Sequence, residues 1–439
     1  MASGILGWLF ARDGPSHRTR QVVALCRALL GERGEASGAA LARQVLAAYR
    51  QLDAVERVQF FDVLAREFGP SPEELGRAVD AYREAPTAAN LVRLQQAVEP
   101  PRQELFRRIN LAAGGTAALV DMRRQLLAGL AQHPEWQASE ADLLHLLRSW
   151  FNRGFLRLER IDWRTSAIVL EKLIRYEAVH AIQGWPDLRR RLQADRRCYA
   201  FFHPQLPEEP LIFIEVALTR RISAQVQPLL DISSPVEDPG RATCAVFYSI
   251  SNCQEGLRGI SFGNFLIKQV AEDLRRELPR LRTFATLSPI PGFCDWLAST
   301  RPLLGSGPRG KERLALLERL AQPDWHRGEA AGSLRRLLVP LCAYYLLHAK
   351  RGREPLDPVA RFHLGNGASL ERINWLADTS AQGMRRSAGM MVNYVYRLAR
   401  VERNHERFVK EHAIDASREI ERLARECDLA QSEGAPAPT

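Results

Sequence analysis

Apolar positions recur three and four residues apart from residue 18 to about 193. Val22, Leu25 and Leu29 form one such run, and Leu41, Val45, Leu46 and Tyr49 another. That period predicts amphipathic helices, each with one buried stripe. Start signals punctuate the run. Ser71-Pro72-Glu73-Glu74 sets an N-cap serine before a proline at the first helical position, with a glutamate three residues on. Ser139 with Asp142, and Thr165 or Ser166 ahead of Ile168, mark two further starts. Pro100-Pro101 and Gly114-Gly115 interrupt the period. A bundle of roughly six to eight helices is expected here, with a scaffolding or subunit-contact role.

The period shortens near Cys198. Cys198–His203 and Leu211–Leu218 are short aromatic and β-branched runs joined by Pro204–Pro210, which predicts a hairpin. Cys244–Ser251 reads as a third strand and Thr283–Leu287 as a fourth. Between them Phe262–Leu278 reads as a helix, with Phe262, Phe265, Leu266, Val270 and Leu274 on one face. Strand, helix, strand makes a βαβ unit within a mixed sheet. Further helices are expected at Lys311–Leu320, Leu334–Lys350, Leu370–Ala377 and from about Tyr394 to Leu429. The fold class is therefore α+β: a helical domain over 1–193, a mixed α/β domain over 194–430, and a disordered tail over 431–439.

Composition narrows the class. The chain has 439 residues, 46% hydrophobic and 26% charged, which excludes long disorder. Its net charge of +10 favours a polyanionic partner: nucleic acid, a phosphorylated cofactor or an acidic substrate. Much of the Arg excess sits on helices beside acids, as in Arg397–Arg403 with Glu402, Glu406 and Glu411, where it reads as solvated surface. No RNP stretch, zinc finger or dense basic stripe is present, so no nucleic-acid partner is expected. No apolar stretch of about 18 residues exists, so no membrane span is expected. Seven scattered cysteines without a Cys-x-x-Cys pair argue against a zinc site or a disulfide framework and fit a reducing cytoplasm. The apolar run Ile5–Phe10 is too short for a signal peptide. Arg12, Arg18 and Arg20 hint at a transit peptide, against which Asp13 counts.

Three stretches carry candidate chemistry. Gln254–Lys268 is a glycine turn opening a helix, where free amides hold a phosphate. Gly256, Gly259 and Gly263 would admit close approach, or would simply make a sharp strand-to-helix connection. It is neither a Walker A loop nor a Rossmann fingerprint, and is similar to the acyl-CoA loop of GNAT-type acetyltransferases. Ser288 ends an apolar run and precedes Pro289, which holds it extended; Pro291 stiffens the exit. Such a hydroxyl can donate to an oxyanion, or belongs to a plain Ser-Pro turn. His363 stands between Phe362 and Leu364, just before Asn366-Gly367, as a functional imidazole or a satisfied core histidine.

These stretches lie within longer ones. Cys198–Thr219, Gly256–Lys268, Leu287–Phe293, Pro355–Asp378 and Met391–Tyr396, in this order, resemble the malonyl-CoA decarboxylase family. The resemblance spans about residues 70 to 400. It implies a helical oligomerisation domain followed by a GNAT-like catalytic domain. It implies conversion of malonyl-CoA to acetyl-CoA and CO2 without metal or organic cofactor, in a homo-oligomer (dimer or tetramer) built through the helical domain. The family's catalytic serine and histidine fall on Ser288 and His363, and a site tyrosine on Tyr396. Its acyl-CoA loop falls on Arg258, Gly259, Ile260, Ser261, Phe262, Gly263 and Asn264. Some members carry a glutamate where this chain has Ser261, and the Ser-Lys-Leu ending of animal members is replaced by Pro-Ala-Pro-Thr. Two rival readings are an acyl-CoA N-acyltransferase on the same sheet and a non-catalytic basic helical binding protein.

Overall fold

The computed structural model describes residues 14–260, 266–306, 309–322, 324–427 and 429. No helix among them is long and apolar enough to cross a membrane. The expected tail at 431–439 lies outside the described residues. The chain forms two compact units. One holds the chain up to Arg157 together with 202–209 and 254–262; the other holds 158–201, 210–253 and everything from 263 on.

The first unit is helical. Its helices are His17–Gly31, Glu35–Arg50, Ala54–Glu67, Pro72–Glu84, Ala88–Val98, Pro101–Asn110, Gly115–Gly129 and Gln137–Trp150. Ser71 Oγ accepts from Glu74 N–H at 3.3 Å and Pro72 opens its helix, as the spacing predicts. The complete capping box is at Asp53 and Glu56. Ser139 starts nothing: a short 3₁₀ turn, Pro134–Trp136, leads into the helix at Gln137, so the chain is already wound there. Val22, Leu29, Val45, Leu46 and Tyr49 are buried together with Phe60, Phe61, Leu105, Leu119, Met122 and Leu143. Gly114 takes φ +75°, and a Cβ on Gly115 would sit 2.0 Å from the Ile109 carbonyl oxygen, so this break needs two glycines.

The second unit carries the sheet. Its strands are β1 (Arg157–Ile161), β2 (Arg196–Phe202), β3 (Ile212–Thr219), β4 (Cys244–Asn252), β5 (Thr283–Thr286), β6 (Ser288–Pro289), β9 (Ser369–Asn374) and β10 (Met391–Val395). Two short strands, β7 (Lys350–Arg351) and β8 (Glu354–Pro355), form a separate ribbon. The order is β1-β2-β3-β4-β5-β10-β6, with β9 paired to β10. β2, β3 and β4 pair antiparallel, which bears out the hairpin. β4 and β5 pair parallel, and the connection between them carries the glycine turn and the helix Leu266–Glu277. That helix lays Leu266, Ile267, Val270, Ala271 and Leu274 inward. The expected α+β organisation, helices first and a mixed sheet after, is present.

Three expectations are corrected. Within 18–193, residues 157–161 are strand. The segment expected as a helix at 370–377 is strand β9 up to Asn374 and a turn after it, and the long helix expected from Tyr394 is strand β10 followed by two separate helices, Val401–Glu411 and Arg418–Arg425. Met391-Val392-Asn393-Tyr394-Val395 carries two β-branched residues and an aromatic one, every residue is buried, and the strand pairs with β5, β6 and β9. β9 bonds β10 on one side. On its other side Leu370 N–H donates to Asp415 O at 2.8 Å and Ser417 N–H to Leu370 O at 2.8 Å. Backbone pairing with distant residues outweighs the local helical spacing of Leu370 and Ile373.

Candidate active site

Three elements of the second unit bring Ser288, His363 and Tyr396 together. Ser288 opens β6 and pairs with Val392 of β10. His363 lies in the last turn of the helix Pro358–Gly365. Asp357 caps the start of that helix, accepting from Val359 N–H at 3.0 Å and Ala360 N–H at 2.9 Å, and Pro358 takes the first helical position. At the other end Gly367 has φ +81°, and a Cβ there would be 2.0 Å from the Val401 carbonyl oxygen. The imidazole is thus set from both ends of a short helix. Tyr396 continues β10, its N–H donating to the Phe284 carbonyl at 2.8 Å.

The side chains form one hydrogen-bonded chain. Ser288 Oγ is 2.9 Å from His363 Nε2, and His363 Nδ1 is 2.8 Å from the Tyr396 hydroxyl. Ser288 Oγ also lies 2.8 Å from Thr286 Oγ1. Ser288, His363 and Tyr396 are 5%, 3% and 2% exposed, so water does not compete for these bonds. The Tyr394 ring stacks on the imidazole at 4.7 Å between centroids. Its N–H holds Thr286 Oγ1 at 3.1 Å, and Asn393 Nδ2 holds the Thr286 carbonyl at 2.6 Å.

Burial also sets the protonation. It pushes the His363 imidazole down to about 3, so the ring is neutral at physiological pH. It pushes the Tyr396 phenol well above its ordinary value, so Tyr396 keeps its proton. A neutral imidazole has one N–H and one lone pair. In one tautomer Tyr396 O–H donates to Nδ1, Nε2–H donates to Ser288 Oγ, and the serine proton is free for Thr286 or a ligand. In the other, Ser288 O–H donates to Nε2 and Nδ1–H to the phenol oxygen.

The glycine turn is built in the first unit. A short 3₁₀ turn, Glu255–Leu257, leads to Arg258, Gly259 and Ile260. A Cβ on Gly256 would meet the Val120 carbonyl oxygen at 2.0 Å, so the turn packs directly on the helix Gly115–Gly129. Gly259 is left-handed at φ +80° with nothing within 4 Å of a Cβ position. Ser261, Phe262, Gly263 and Asn264 lie outside the described residues.

Sequence reasoning missed Thr286, Tyr394 and Asp357. The first two were findable: each stands two residues before a singled-out residue, the spacing that puts side chains on one side of extended chain. Asp357 had its signal too, an Asp-Pro helix start six residues before His363.

The sequence profile of the malonyl-CoA decarboxylase C-terminal domain matches residues 154–433, and that of the N-terminal domain matches 68–151. The mitochondrial malonyl-CoA decarboxylase of Anser anser anser is 37% identical over 409 residues, covering 85% of this chain and 81% of that protein. The mitochondrial malonyl-CoA decarboxylase of Rattus norvegicus is 36% identical over 402 residues, covering 84% and 82%. The crystal structure of malonyl-CoA decarboxylase from Rhodopseudomonas palustris superposes with a TM-score of 0.88 at 50% identity, covering 92% of this chain and 99% of that one. The one from Agrobacterium vitis gives 0.86 at 50% identity over the same shares. By profile, by curated relatives and by fold, this chain belongs to the malonyl-CoA decarboxylase family.

Proposed function

We propose that this protein is a carboxy-lyase that converts malonyl-CoA to acetyl-CoA and CO2, with Ser288, His363 and Tyr396 as its catalytic residues. The observation that carries the reading is the buried 2.9 Å contact between Ser288 Oγ and His363 Nε2 in a member of this family. When the C–C bond to the carboxylate breaks, CO2 leaves and the electron pair passes to the thioester, giving an enolate. Ser288 O–H donates to the enolate oxygen; one such fixed donor is worth about 3–4 kcal/mol of barrier. The α carbon then takes a proton through the Ser288–His363 pair, and solvent restores it. Tyr396 holds the imidazole in the tautomer that leaves the serine proton free. The ring stays uncharged: as the serine proton goes to carbon, Nε2–H replaces it on Oγ and Tyr396 O–H replaces that proton at Nδ1, and the transfer starts only once loss of CO2 has put an electron pair on the substrate.

In this reading Arg258, Gly259, Ile260, Ser261, Phe262, Gly263 and Asn264 take the coenzyme diphosphate. Homo-oligomer formation through the helical unit belongs to the same proposal. Its support is the helix Ala88–Val98, which buries none of its residues and leaves Leu91, Val92 and Val98 exposed. Seven cysteines, none of them in a disulfide, fit a reducing compartment such as the cytoplasm.

The test is product analysis after mixing the purified protein with malonyl-CoA alone. Acetyl-CoA and CO2 in equal amounts support the reading; a requirement for an amine acceptor would refute it in favour of an acyltransferase. Ser288→Ala and His363→Asn should each lower kcat by about 10²-fold or more with CoA affinity kept. Near-normal turnover in either removes that residue from the mechanism.

A further inference from the structure

Arg123 lies in the helix Gly115–Gly129, is 2% exposed, and turns its guanidinium toward the glycine turn. Nη1 donates to the Gly256 carbonyl at 2.7 Å and Nη2 to the Arg258 carbonyl at 2.8 Å. Nε and Nη2 also donate to Glu140 Oε1, at 2.9 and 2.7 Å. Glu140 stands in the first turn of the helix Gln137–Trp150. Two helices of the bundle therefore supply an ion pair whose buried arginine grips the backbone of a turn some 130 residues later, as the separations of 133 and 135 show. The planar fork of arginine can bridge two carbonyls and a carboxylate at once; an ammonium cannot match that geometry.

The grip fixes the direction of one amide. A trans peptide is planar, with its C=O and N–H pointing opposite ways. Holding the Arg258 carbonyl against Arg123 turns the Gly259 N–H to the other side. The neighbouring amides are engaged inside the turn: Leu257 N–H to Gln254 O, Arg258 N–H to Glu255 O and Ile260 N–H to Leu257 O, each at 3.0 Å. The Gly259 N–H has no partner among the described residues. It belongs to a left-handed glycine with open space at its Cβ position. A backbone donor presented in this way is the kind of group that receives a phosphate oxygen.

We propose that Arg123, braced by Glu140, is a positioning residue for the coenzyme: it aims the Gly259 N–H outward as a donor to the diphosphate of acyl-CoA. The inference rests on the reading of this turn as the acyl-CoA loop. It gives the helical unit a part in substrate affinity, beyond scaffolding.

The experiment compares malonyl-CoA with malonyl-pantetheine, which lacks the nucleotide and its diphosphate, in the full-length enzyme and in Arg123→Lys. In the unaltered enzyme KM should be far lower for malonyl-CoA. In Arg123→Lys the KM for malonyl-CoA should rise about tenfold or more, with kcat within about threefold and the KM for malonyl-pantetheine unchanged. A purely structural role would lower thermal stability and move both substrates alike, or neither, and either pattern overturns the inference. Equal KM values for the two substrates in the unaltered enzyme would sink the loop reading itself. Should Arg123→Lys not fold, Glu140→Gln keeps the guanidinium but loosens it; the same selective rise in KM is expected, and its absence overturns the inference.

Discussion

Tyr396→Phe isolates a single hydrogen bond. The ring, its burial and its packing are kept; only the oxygen 2.8 Å from His363 Nδ1 is lost. Tyr396 and His363 are 2% and 3% exposed, so no bulk water replaces the phenol. Leaving a buried polar atom without its partner costs about 1–3 kcal/mol. Part of that falls on the folded state and part on the reaction, because the imidazole loses the group that selects its tautomer. If most of it reaches the transition state, kcat falls roughly 10- to 100-fold, at about 1.4 kcal/mol per factor of ten. KM should stay within about twofold, because Tyr396 acts through His363 on a step after binding. The assay is acetyl-CoA formation across malonyl-CoA concentrations, with thermal unfolding of the same sample. A lower melting temperature with unchanged kcat would show that the phenol only supports packing. A raised KM with unchanged kcat would place it in binding. Either result refutes the tautomer argument.

Two further perturbations test the frame around the site. Burial holds His363 at about 3 against an ordinary value of 6.5, so as pH falls the unfolded chain takes up this proton first. The stability that this neutral ring contributes is complete above pH 6.5 and declines below it, by up to about 1.4 kcal/mol per pH unit until pH nears 3. Urea unfolding of the unaltered protein and of His363→Gln between pH 5 and 8 should therefore give profiles that converge as pH drops; parallel profiles would show that the ring is not held neutral. Gly367→Ala puts a Cβ 2.0 Å from a backbone oxygen at φ +81°, and should lower stability by roughly 3 kcal/mol or more and impair turnover by shifting His363. A denaturation midpoint equal to that of the unaltered chain would contradict this account of how the histidine is held.

The helical half was legible because an amphipathic helix writes its buried face into a local period: Val22 and Leu29, or Val45, Leu46 and Tyr49, need no distant partner to be read. The hairpin around Pro204–Pro210 was legible for the same reason, since turn and strands adjoin in sequence. What escaped depends on distance along the chain. β9 and β10 are strands because each pairs with residues that local spacing does not reveal. Arg123 and Glu140 read as ordinary charges on helix surfaces, and only the fold turns Arg123, braced by Glu140, onto carbonyls more than 130 residues away. Ser288 and His363 stood out because prolines and glycines fix the backbone around them. That signal says a group is held still, and does not name what it faces.

The identity of the third group in the chain bears on the chemistry. In a hydrolytic triad the imidazole is oriented by a carboxylate, which stabilises the imidazolium and so lets the histidine strip a proton from serine to make a nucleophile. Here the orienting group is the phenol of Tyr396, and burial alone accounts for the low basicity of His363, with no acidic side chain offsetting it. Asp357, the acid on the same short helix, is turned to the backbone amides at the helix start. An uncharged imidazole in dry surroundings is a poor base for serine, because the ion pair it would create has nothing to stabilise it. The same ring is well suited to polarise the serine hydroxyl toward an oxygen that becomes negative. A Ser–His pair supported by tyrosine is therefore biased away from forming an acyl-enzyme and toward stabilising an enolate, the one intermediate that loss of CO2 from a malonyl thioester requires.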